Sequence, residues 1–168
     1  MNEVLTSFQG GAAALFPLVT VYVMVSDFRH RIIPNWASVV LGLAFLPFAI
    51  LGDMDGGAIA AHYGAGVALL AMGVLLFTKG IIGGGDVKII AAVGVWFGLV
   101  GLGPFLLAIA LFGGVLALCI LIIRKLPNKP AFLAGLPWLD GDPDIPYGLA
   151  IGSAALFLFF KIPVYSFF

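Results

Sequence analysis

Apolar residues in this chain run almost unbroken for lengths that match a lipid bilayer. Leu5 to Ser26 is the first such stretch. A helix rises about 1.5 Å per residue, so about 20 residues cross a hydrocarbon core of roughly 30 Å. Further apolar stretches occupy about 36–51, 59–78, 89–102, 104–123 and 146–161. Inside hydrocarbon every backbone N–H and C=O needs a partner within the protein, and for segments of this length the helix supplies it. The expectation is an all-α, polytopic membrane protein with six transmembrane helices and short loops, forming one unit over 1–168. Composition agrees: 62% of residues are apolar and only 10% charged, against about 25% charged in a soluble domain. Eight Lys and Arg balance eight Asp and Glu, which leaves no basic excess for nucleic-acid phosphates. Cys119 is the single cysteine, so neither an intrachain disulfide nor a multi-cysteine metal site is available.

The start Met1-Asn2-Glu3 lacks the basic residues of a secretory signal peptide, so the first apolar run is expected to stay as a helix. Gly101-Leu102-Gly103-Pro104 is expected to form a tight turn between the fourth and fifth spans. One long bent helix there is the alternative and would leave five spans. Under six spans, Arg29, Arg31, Lys79, Lys88, Arg124, Lys125 and Lys129 share one side. The positive-inside rule makes that side cytoplasmic and places the N-terminus outside. The proline-rich segment from Arg124 to Ile145, with Trp138 beside leucines, is expected at the cytoplasmic surface. Glycines four apart, Gly94/Gly98 and Gly148/Gly152, suit close helix packing.

Two aspartates stand at span boundaries on that side: Asp27 in Asp27-Phe28-Arg29-His30-Arg31-Ile32-Ile33-Pro34-Asn35, and Asp86 in Gly83-Gly84-Gly85-Asp86-Val87-Lys88. Ionisable groups at membrane depth are costly and point to function. Two carboxylates brought close do not both ionise easily, so a charged member activates water while a neutral one protonates a carbonyl oxygen. The bland reading is a helix cap and a solvated loop residue. The three glycines weigh against it, because such a run implies close backbone approach or positive φ. It matches neither phosphate-binding pattern, G-x-x-x-x-G-K-[ST] or G-x-G-x-x-G.

These motifs, followed by Ile145-Pro146-Tyr147-Gly148, resemble the type IV prepilin peptidase family, and more narrowly its short Flp/Tad-type branch. The resemblance covers nearly the whole chain. It implies an intramembrane aspartyl endopeptidase of the Gly-x-Gly-Asp kind in the bacterial inner membrane. Such an enzyme cleaves a prepilin leader after a glycine, just before the hydrophobic helix, with its active site facing the cytoplasm. Asp27 and Asp86 would be the catalytic pair, needing no cofactor and no metal. Gly83, Gly84, Gly85, Lys88, Pro34, Asn35, Pro146, Tyr147 and Gly148 would shape the site or meet substrate. The partners implied are the prepilin and the bilayer. Longer relatives carry a zinc-binding insert with paired Cys-x-x-Cys motifs and N-methylate the new terminus. One cysteine and no room for the insert imply a peptidase without methyltransferase activity.

Other residues have simpler readings. Arg29, His30 and Arg31 fit topology better than chemistry, and Lys88 serves equally as an anchor or as a partner for Asp86. His62 reads as an interface residue on the far side. Asp140-Gly141-Asp142-Pro143-Asp144 starts like a calcium loop but lacks the Gly and Glu at its later positions. It reads as a solvated turn, or as an attractor of a basic leader. A presenilin-like protease is disfavoured because the Pro-Ala-Leu motif is absent. From a different class, a small transporter using both Asp as a proton or cation relay is the alternative; the span centres hold almost none of the polar groups it needs.

Overall fold

The computed structural model describes residues 2–126, 135–140 and 145–161, with side chains from residue 10 onward and without those of Pro137 and Asp140. Every regular element among them is helical: α1 (Asn2–His30), α2 (Asn35–Leu51), α3 (Gly56–Thr78), α4 (Gly84–Lys125), the single turn α5 (Pro137–Asp140) and α6 (Tyr147–Lys161). Three segments, Gly10–His30, Gly56–Thr78 and Gly84–Lys125, have the length and apolarity to cross a membrane, while Asn35–Leu51 and Tyr147–Lys161 are shorter apolar helices.

Helix α4 is not one rod. At 42 residues it would run about 63 Å, twice the hydrocarbon thickness. It breaks at Gly98, where φ is 57° and ψ −172°. Beyond the break the chain returns. Asp86 near its start feels the charge of Asp27 at the end of α1, and Ile120 near its finish joins Trp138 and Phe28 at that same end. The turn expected at Gly101-Leu102-Gly103-Pro104 is therefore misplaced, since all four residues are helical. The physical reason lies at Gly98. Positive φ is costly for a residue with a Cβ, and a Cβ there would also lie 2.7 Å from the His62 ring.

Local chemistry sets the other boundaries. Pro34 is the N-cap of α2 in extended conformation, a conformation its ring favours. The Asp55 carboxylate caps α3 by accepting from Gly57 N and Ala58 N at 2.7 and 3.1 Å. Glycines then let helices meet. A Cβ on Gly94 would strike Leu69 of α3, and one on Gly152 would strike Met24 of α1.

The core is aromatic. Phe16, Phe45, Trp96, Phe97 and Phe105 are fully buried, with Trp96 4.9 Å from Phe16 and 5.2 Å from Phe48 between ring centres. Two of its ring donors are taken up by backbone: Trp96 Nε1 donates to Leu41 O at 2.8 Å and Tyr63 Oη to Gly42 O at 2.9 Å. His62 is no interface residue. It is buried, stacks on Phe45 at 4.9 Å, and its Nδ1 pairs with Val95 O at 2.8 Å. That carbonyl would reach forward to the fourth residue on in an unbroken helix, so the imidazole occupies the hydrogen-bonding site freed by the break.

Candidate active site

Asp27 lies in the last turn of α1 and is buried. A buried carboxylate needs donors, and the N-terminus of α6 supplies them. Gly148 N donates to Asp27 Oδ2 at 2.7 Å, and Leu149 N faces the same group. Glycine is required at 148 because a Cβ there would sit 2.8 Å from Asp27 Oδ2. Residues 121 positions apart are thus joined at one atom, and the positive end of the α6 dipole faces the carboxylate.

Asp86 is the third residue of α4, after the N-cap Gly83. Its carboxylate takes a hydrogen bond from the Gly83 backbone, which is the reach-back half of a capping box. The cap reading of Asp86 therefore holds, and it coexists with a site, because Asp86 and Asp27 are close enough for their charges to act on each other.

The glycine triplet acts through close approach, not positive φ. A Cβ on Gly83 would lie 2.9 Å from Asp86 Oδ2, one on Gly84 3.3 Å from the Phe77 ring, and one on Gly85 3.1 Å from Ile33 Cβ. The positive φ of this loop falls instead on Gly80, at 68°. Of these glycines, Gly80 and Gly83 line a cleft of about 650 Å³, bounded also by Ile81, Asp86, Arg31 and Tyr147.

Arg31, whose sequence context fits topology better than chemistry, lies in the cleft wall. Its charge acts on both Asp27 and Asp86. The signal was available in the spacing: four residues after Asp27, Arg31 closes the last turn of α1, its N bonded to Asp27 O at 2.9 Å, and residues four apart share a helix face. Its φ of 56° ends the helix there and was not legible.

The remaining candidates divide. Tyr147 lines the cleft and packs over α4, where a Cβ on Gly113 would meet its hydroxyl at 2.6 Å. Pro146 is buried and its carbonyl accepts from Leu149 N at 3.2 Å, starting α6. Pro34 starts α2. Lys88 and Asn35 do not line the cleft: Lys88 Nζ donates to Asn35 Oδ1 at 2.8 Å, on a different face of α4. Trp138 is buried rather than interfacial; its Nε1 donates to Phe28 O at 3.0 Å and its carbonyl accepts from Arg124 Nε at 2.9 Å. Asp142, Asp144 and the Asp140 side chain fall outside the described residues. Among the described residues no group of three or more His, Cys, Asp or Glu gathers as a metal site.

The family model described as the type IV leader peptidase family matches residues 14–118. That interval contains Asp27, Arg31 and the Gly83–Asp86 loop, and ends before Tyr147 and Gly148. No curated protein and no solved structure matches the chain.

Proposed function

The chain belongs to the type IV leader peptidase family, and on that premise we propose that it is an aspartyl endopeptidase of the bacterial inner membrane. It cleaves the leader of a Flp-type prepilin after a glycine at the cytoplasmic face. The observation that carries this reading is the approach of two carboxylates, 59 positions apart in sequence, within reach of each other's charge, with Asp86 lining an open cleft.

The Asp27/Asp86 dyad shares one proton. Its anionic member takes a proton from water, the water oxygen attacks the carbonyl carbon of that glycine, and the protonated member hydrogen-bonds the carbonyl oxygen. Collapse of the tetrahedral adduct breaks the C–N bond, and a proton passed by the dyad leaves with the new amine. The Arg31 guanidinium offsets the negative charge of the pair and of the adduct. Water reaches the dyad through the cleft. The scissile segment enters extended, because a helix would hold its carbonyls in internal hydrogen bonds. Six membrane segments are α1, α2, α3, the two arms of α4, and α6, with the cleft on the cytoplasmic side. No methyl group is added to the product.

The test is co-expression with a Flp-type prepilin, reading the mass of the pilin made by the intact enzyme and by Asp86→Asn. The expected product starts after the glycine, carries no methyl mass, and is missing in the variant. Intact prepilin in the presence of the folded, inserted wild-type enzyme would overturn the proposal.

A further inference from the structure

On the face of α4 turned away from the catalytic cleft, a groove of about 510 Å³ opens between α2, α3 and α4. Its walls include Val39, Leu43, Val67 and Leu70, all exposed on the outer surface. At one end stand Lys88 and Asn35, joined by their 2.8 Å hydrogen bond. That bond uses one of the three ammonium donors of Lys88. Ser38 Oγ, one turn deeper along α2, is buried in the groove wall and has no hydrogen-bond partner among the described residues. Trp36, beside Asn35, is exposed and packs against Tyr22 at 5.0 Å, and such aromatic residues mark the level of lipid headgroups.

The length of the groove favours one occupant. Along α2 the groove runs from Asn35 to Leu43, and along α4 from Lys88 to Val95, about 10–12 Å in each case. That is nearly one leaflet of hydrocarbon, roughly 15 Å, and well short of the whole thickness. An acyl chain matches that length, whereas a transmembrane peptide helix would run well past it.

We propose that this groove is a binding site for an anionic glycerophospholipid of the adjacent leaflet. Its phosphate pairs with Lys88, an ester carbonyl accepts from Ser38 Oγ, and one acyl chain lies between α2 and α3. This site is independent of the aspartate dyad. It attracts anionic over zwitterionic headgroups by the charge of Lys88.

Gly42 gives a clean handle, because a Cβ there meets nothing within 4 Å although the residue lines the groove. Gly42→Leu fills the acyl channel and improves helix propensity. The experiment is native mass spectrometry of the purified full chain released from nanodiscs of mixed phosphatidylglycerol and phosphatidylcholine. The wild-type protein is expected to retain phosphatidylglycerol preferentially, with Gly42→Leu reducing the retained adduct roughly tenfold at unchanged or raised melting temperature. Lys88→Gln is expected to erase the preference for phosphatidylglycerol while keeping acyl-dependent adducts. Equal retention of phosphatidylglycerol by the wild type and Gly42→Leu would overturn the proposal. Loss of prepilin capture in Gly42→Leu, with lipid adducts intact, would overturn it too and assign the groove to the substrate helix.

Discussion

Two of the places where this bundle buries polar groups do so to opposite ends. Around Trp96 and His62, each placed hydrogen bond ends on a backbone carbonyl, at Leu41 and Val95, and aromatic rings close the surroundings. Around Asp27 and Asp86 the donors are backbone N–H groups of glycines, Gly148 and Gly83, and the space beside Asp86 stays open as a cleft. A carboxylate with an N–H on one oxygen keeps acceptor capacity for other partners. An indole N–H donating to a carbonyl keeps nothing in reserve. The first region holds the helices together; the second is held in place by glycines so that its charge remains usable.

Substitutions separate these roles. The largest effect is expected for Asp27→Asn or Asp86→Asn, each of which should reduce prepilin cleavage by at least about 10³-fold, with thermal unfolding in detergent near wild type. Trp96→Ala should do the reverse in kind: about 3–5 kcal/mol of stability lost, read by thermal or denaturant unfolding, with residual folded protein still cleaving. Gly148→Ala probes the seam between the two. Its Cβ would lie 2.8 Å from Asp27 Oδ2, so cleavage should fall about 100-fold while stability drops by about 1–3 kcal/mol; equal loss of both would place Gly148 with the core. The smallest effect is expected for Arg31→Lys, which keeps charge but shortens reach and loses the planar fork. Cleavage should fall roughly tenfold, in kcat more than in KM. An unchanged kcat would return Arg31 to a topological role.

The parts of this molecule legible in its sequence are those fixed by local pattern. Apolar run length marked the helices, and Asp27, Asp86 and the glycine triplet marked the site. Long-range geometry was less legible. Gly98 looks like any of its neighbouring glycines in sequence, and nothing local reveals that His62, 36 positions earlier, takes the space of its missing side chain. The Gly-Pro stretch at 101–104 carried the stronger turn signal and lost, because tertiary packing at Gly98 outweighs a propensity that helices tolerate near their ends. The place of Arg31 beside both carboxylates is hidden in the sequence for a similar reason. A basic residue beside a span serves topology by default, and only the convergence of α1 with the start of α4 turns its charge on both carboxylates. Gly148 was expected near the site, but its role as a donor to Asp27 depends on α6 docking against α1.

The central claim is that Asp27 and Asp86 act as one unit. The direct measurement is a double-mutant cycle on prepilin cleavage in membranes, comparing Asp27→Asn, Asp86→Asn and the double variant at equal levels of inserted protein. Groups acting as a unit are strongly non-additive, so each single variant should be as inactive as the double. Cleavage retained by either single variant, or losses that multiply in the double, would contradict the dyad.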